Sequence, residues 1–99
     1  MSDTVYFNGS YVSKDDVRIS PDDRGFLLSD GIYEVVRVYR GAPFEMGGHV
    51  ERLADGLAAI RIEGVRAETM ADVTRELIAR NGLEGGDACV YVQITRGAA

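Results

Sequence analysis

Residues 88–95, Ala88-Cys89-Val90-Tyr91-Val92-Gln93-Ile94-Thr95, alternate between two kinds of side chain almost without error. Successive side chains of a strand point to opposite faces of a sheet, so Ala88, Val90, Val92 and Ile94 share one face, and Cys89, Tyr91, Gln93 and Thr95 the other. Residues 32–40, Ile-Tyr-Glu-Val-Val-Arg-Val-Tyr-Arg, have the same character and are rich in β-branched and aromatic types. Ile32, Glu34, Val36 and Val38 fall on one face, apolar apart from Glu34, with Tyr33, Val35, Arg37 and Tyr39 on the other. Arg40-Gly41 before Ala42-Pro43-Phe44 predicts a reversal into a further strand.

Towards the N-terminus, Val5-Tyr6-Phe7, Asn8-Gly9 and Tyr11-Val12 read as a hairpin, because Asn-Gly accepts the positive φ angles of a type I′ turn. Val17-Arg18-Ile19 counts as another short strand. Ser20-Pro21-Asp22-Asp23-Arg24-Gly25 turns the chain, with Asp22 or Asp23 as turn or cap residue, and a loop follows through Phe26 to Gly31. From Gly48 the period changes. Val50, Leu53, Leu57 and Ile60 form one helical stripe, flanked by His49 and Arg52, which three-residue spacing makes neighbours. A second helix is expected from an N-cap at Thr69, with Asp72 as capping partner, through Val73, Leu77 and Ile78 to Asn81-Gly82. The order β-β-β-β-β-α-α-β, without repeated βαβ units, predicts an α+β two-layer sandwich: an antiparallel sheet with two helices on one face, in a single domain over residues 1–99.

Composition narrows the function. The 99 residues carry 11 Lys+Arg against 16 Asp+Glu, and the bases are scattered among acids, so no basic stripe exists to neutralise phosphates; a nucleic-acid partner is not expected. One cysteine, Cys89, excludes an internal disulfide framework and fits a reducing compartment. The apolar runs are far shorter than the roughly 20 residues that span a bilayer, and Met1-Ser2-Asp3-Thr4 lacks the features of a leader, so a cytoplasmic location without a membrane partner is expected. One histidine excludes multi-histidine metal chemistry; no nucleophile elbow or phosphate-cradling glycine loop is present, and Gly82-Leu-Glu-Gly85-Gly86 is a loop with no strand before it.

If the helices cover the face with Ile32, Val36, Val38, Val90, Val92 and Ile94, the opposite face carries Tyr33, Arg37, Tyr39, Tyr91, Gln93 and Thr95. Hydroxyl, guanidinium and amide groups among aromatic bodies suit a small anionic, partly aromatic ligand, although an antiparallel sheet commonly has one solvated face with no ligand at all. Arg52 and His49 are equally open by themselves, since a helix-flank arginine is usually solvated and a single histidine usually an ordinary polar residue.

Three blocks bear on these alternatives. Asp23-Arg24-Gly25-Phe26-Leu27-Leu28-Ser29-Asp30-Gly31-Ile32-Tyr33-Glu34-Val35, His49-Val50-Glu51-Arg52-Leu53 and Tyr91-Val92-Gln93-Ile94-Thr95-Arg96-Gly97 together resemble the N-terminal domain of the class IV (fold-type IV) pyridoxal-phosphate aminotransferases, and most of all the D-amino-acid aminotransferase branch. Ser29 stands where many relatives have glycine, and Gly47-Gly48 where an acidic residue is usual. The resemblance implies transfer of an amino group between an amino acid and a 2-oxo acid, pyridoxal 5′-phosphate as cofactor, and a homodimer. It implies that Arg52 binds the cofactor phosphate and that Tyr33 lines the substrate pocket, with Tyr91, Gln93 and, more weakly, Arg37 on the same side. It also implies that the face read as wet and the active-site face coincide. Aminodeoxychorismate lyases and branched-chain aminotransferases share this framework and remain alternatives, as does a non-enzymatic dimerisation or interaction module.

In that family a lysine in the second half of the protein forms the Schiff base with the cofactor. The only lysine here, Lys14, lies in the polar run Ser13-Lys14-Asp15-Asp16, outside every matched block. The C-terminal cofactor-lysine domain is therefore expected to be absent, with no catalytic residue in these 99, and the chain alone is expected to be inactive.

Overall fold

In a computed structural model, which describes residues 3–98, the two strands that decide the fold pair with each other. β3 (Gly31–Tyr39) and β5 (Ala88–Thr95) run antiparallel in the register Tyr33 to Gln93, Val35 to Tyr91, Val36 to Val90 and Arg37 to Cys89. β4 (Ala42–Pro43) adds to the other edge of β3, giving the sheet order β4-β3-β5. The alternation works as read. Val36 and Val38 are fully buried, Ile32, Val90, Val92 and Ile94 pack against the core, and Tyr33, Arg37, Tyr39, Cys89, Tyr91 and Gln93 are exposed on the opposite face.

Helix α2 (Met46–Ala59) lays Leu53 and Leu57 on that apolar face, and α3 (Thr69–Arg80) contributes Met70, with Ala67 completing the cluster. The approach is close at Gly56, where a Cβ would sit 3.1 Å from Cδ1 of Ile32. Antiparallel sheets and helices give the mixed α+β class that was expected.

Several local expectations differ. β1 (Thr4–Phe7) and β2 (Ser10–Ser13) form the hairpin around Asn8-Gly9, both at positive φ, but as a separate two-stranded sheet against α3. Asn81 joins the two layers: its side chain accepts from Thr4 N (2.8 Å) and donates to Thr4 O (2.9 Å). Residues 17–19 are not a strand; a 3-10 turn over Lys14–Asp16, capped by Ser13, diverts the chain before a ladder partner is reached. The expected loop through Phe26 begins as a short helix, α1 (Arg24–Leu28), because Asp23 caps it by accepting from Gly25 N at 2.9 Å. Thr69 is not an N-cap. Thr69, Met70 and Ala71 already bond back to the carbonyls of Arg66, Ala67 and Glu68, so the winding starts before Thr69 and its hydroxyl is not needed as a cap. α2 likewise starts at Met46, two residues earlier than Gly48. Met1-Ser2, on which the expectation of no leader partly rests, and Ala99 lie outside the described residues; among the described ones no helix is long and apolar enough to cross a membrane.

Candidate functional site

Glu34 is the one acid on the core-facing register of β3, and burying a carboxylate is costly unless its oxygens are hydrogen-bonded. α2 supplies the partners. His49 Nδ1 lies 2.6 Å from Glu34 Oε1, and Arg52 donates from Nη2 to Oε1 (2.8 Å) and from Nε to Oε2 (3.4 Å). His49 and Arg52 meet one carboxylate because they stand one helical turn apart on α2. Glu34 and His49 side chains are only 12% and 13% exposed, whereas that of Arg52 is 67% exposed. The guanidinium is thus anchored on its inner edge and open to solvent on the other.

The short contact fixes a proton. An ionised carboxylate only accepts, so His49 carries hydrogen on Nδ1, and the 3.1 Å approach of Arg52 Nη2 to the same nitrogen is two donors crowding one oxygen rather than a bond between them. The N–H groups of Arg52, and next that of His49, hold the Glu34 carboxyl below its ordinary range against the opposing effect of burial, and Glu34 in turn raises the pKa of Arg52. A depressed carboxyl pKa in the folded state gives stability that is complete above the unfolded value and is lost as pH falls through the folded one. Asp30, held low by Arg96 first, acts in the same direction. The denaturation midpoint is therefore expected to decrease as pH is lowered from about 5 through and below the ordinary carboxylate range, and Glu34→Gln to flatten part of that slope; an unchanged slope in urea titrations across this range would refute the assignment to Glu34.

Phe44, Glu45, Gly48, His49 and Arg52 line an open cleft of about 300 Å³ at the start of α2. On the other face of the sheet, Tyr33 stacks on Tyr91 (centroids 5.8 Å apart, planes 16° apart), and the Tyr91 hydroxyl donates to Gln93 Oε1 at 2.6 Å. Arg37 Nη1 approaches Cys89 Sγ at 2.9 Å, and its guanidinium lies 5.4 Å from the Tyr39 ring centre. No acidic residue occurs at the outward positions of β3 and β5. Tyr33, Arg37, Tyr91 and Gln93 are thus brought together, but Arg52 is not with them. It belongs with Glu34 on the helix side, since consecutive residues Tyr33 and Glu34 point to opposite faces.

Sequence reasoning does not single out Glu34 or His49 as site residues. The available signal is an acid breaking an otherwise apolar register, opposite a helix carrying two basic side chains one turn apart. Among the described residues no group of acids, His and Cys is arranged to hold a metal ion. The donor set fits the anionic end of a phosphate ester, because Arg52 meets Glu34 through Nε and Nη2, lines the cleft and keeps its side chain 67% exposed. It does not supply an amine: Lys14 lies in the turn after the hairpin, on none of β3, β5 or α2.

No protein-family model matches the chain. It is 36% identical over 96 residues to a D-alanine aminotransferase of Staphylococcus haemolyticus, covering 96% of this chain and 33% of that protein. It is 35% identical over 94 residues to an aminodeoxychorismate lyase of Bacillus subtilis, covering 94% of this chain and 32% of that protein. A solved branched-chain amino acid aminotransferase from Escherichia coli has the same fold, with a TM-score of 0.86 at 22% identity over 98% of this chain and 34% of that one. The chain spans about a third of the length of the curated relatives it matches. It is thus similar, in sequence over nearly its whole length and in fold, to one third of an aminotransferase of fold type IV.

Proposed function

We propose that these residues form the N-terminal domain, and one side of the active site, of a pyridoxal-phosphate-dependent aminotransferase acting between an amino acid, of D configuration, and a 2-oxo acid. The observation that carries this is Arg52, anchored by a partly buried carboxylate at one edge and open over a cleft at the other. Arg52 binds the cofactor phosphate by a charge-assisted, two-pronged contact that a lysine would make less well. The cofactor, when bound, supplies an electron sink that lets the substrate α-proton leave. Tyr33, Tyr91, Gln93 and Arg37 line the substrate side, where hydroxyl, amide and guanidinium groups orient a carboxylate without a competing acid. The D preference rests on the match to D-alanine aminotransferases together with the block Tyr91-Val92-Gln93-Ile94-Thr95-Arg96-Gly97. The enzyme works as a cytoplasmic homodimer, and its amine comes from polypeptide other than these 99 residues.

Pyridoxal phosphate, but not pyridoxal, is expected to bind the chain and shift its own phosphorus resonance, and Arg52→Ala to weaken that binding by about a hundredfold, the loss of a charge-assisted pair. Borohydride reduction of the mixture should leave no cofactor mass at a unique site. Binding that survives Arg52→Ala would overturn the phosphate assignment; site-specific labelling together with turnover of D-alanine would overturn the missing amine.

A further inference from the structure

Glu34 presents a contradiction for an anion site. By Coulomb's law, a carboxylate 2.8 Å from the cation that attracts the ligand cancels the attraction, and its removal should tighten anion binding. The carboxylate is nonetheless set into the apolar register of β3 between Ile32 and Val36, where an aliphatic residue would continue the face.

The geometry shows what is obtained in exchange. Glu34 engages the side-on edge of Arg52, Nε with one Nη2 hydrogen, and leaves the end-on edge of Nη1 with the second Nη2 hydrogen. That remaining edge is the one that takes two oxygens of a phosphate in parallel. A 67% exposed arginine without such an anchor would have to give up its rotamer freedom when the ligand arrives. Glu34 Oε1 also holds His49 Nδ1–H, on a side chain that lines the same cleft.

We propose that Glu34 is a positioning residue for phosphate-monoester binding: it pre-orients the guanidinium of Arg52 and holds the ring of His49 by its Nδ1 edge, and this ordering outweighs the charge it cancels. The inference rests on the reading of Arg52 as a phosphate ligand given above, and it makes a prediction opposite in sign to simple electrostatics.

The test uses the 99-residue chain with inorganic phosphate and pyridoxal phosphate as probes, followed by phosphorus NMR at fixed ionic strength. Glu34→Ala is expected to weaken both by about tenfold, and Glu34→Gln, which keeps one acceptor oxygen and nearly the same shape, by less. His49 is the only histidine, so its ring ¹⁵N signals need no assignment. They should show hydrogen held on Nδ1 in the unaltered chain without ligand and released from it in Glu34→Ala, which reads the loss of this contact, while recovery of phosphate affinity in Glu34→Gln relative to Glu34→Ala is the signature that a purely structural role would not give. If both variants bind phosphate as tightly as the unaltered chain or tighter while Arg52→Ala does not bind, positioning is wrong and the phosphate reading stands. If the unaltered chain does not bind, or Arg52→Ala binds equally, the reading beneath it is wrong.

Discussion

Alanine at position 41 is expected to lower the unfolding free energy by about 2–5 kcal/mol, a large part of what a domain of this size commonly has. Gly41 stands at φ +77°, in the turn between β3 and β4, a conformation that costs an L-residue roughly 1–2 kcal/mol. A Cβ there would also lie 2.1 Å from Glu84 O and 2.7 Å from its carbonyl carbon, and these are backbone atoms that cannot rotate away. The loop that carries Glu84 is tied to the same turn, by Gly41 N donating to Gly86 O at 3.0 Å and Arg40 N to Asp87 Oδ1 at 3.0 Å. Either the turn opens or the segment leading into β5 moves, and both loosen the pairing that sets the register of Tyr33 and Tyr91. Gly85→Ala is the control, since nothing lies within 4 Å of its Cβ and its φ is not positive. Equal midpoints for the two variants in urea would sink this account.

What can be read from the sequence, and what cannot, divides along physical lines. The two long strands, their faces and the Asn8-Gly9 hairpin follow from period and turn chemistry, which are local. The reversal at Arg40-Gly41 is equally legible, but its contact with Glu84, more than forty positions away, is not, because no local pattern encodes it. The same limit applies to the site. Tyr33, Arg37, Tyr91 and Gln93 share a face by alternation alone, and Arg52 stands out through its block, yet its separation from that face depends on pairing Arg52 with Glu34. Alternation already places Tyr33 and Glu34 on opposite faces; what it lacks is the knowledge that α2 packs with His49 and Arg52 over Glu34. The short helix at Phe26 escapes a periodicity reading because five residues are too few to show a period, and its signal is the cap Asp23.

Leu53→Ala is expected to cost about 3 kcal/mol without altering the phosphate site in molecules that remain folded. Leu53 is 2% exposed and sits with Val36, Leu57, Ala67 and Met70 in the core cluster, so truncation removes transfer energy and leaves a cavity between α2 and the sheet. The neighbouring residue, Arg52, reaches the solvent-exposed margin of that packing and is located by Glu34 rather than by the core. Those two supports are separable. At denaturant concentrations where the variant is still fully folded, its phosphate affinity and the Nδ1–H signature of His49 should match those of the unaltered chain, and binding should fall only with the folded fraction. Leu53→Met, which conserves volume, should lose less than about 1.5 kcal/mol and confirm that packing is the cause. An affinity loss in fully folded Leu53→Ala would mean that core packing of α2, rather than the Glu34 carboxylate, aims the arginine.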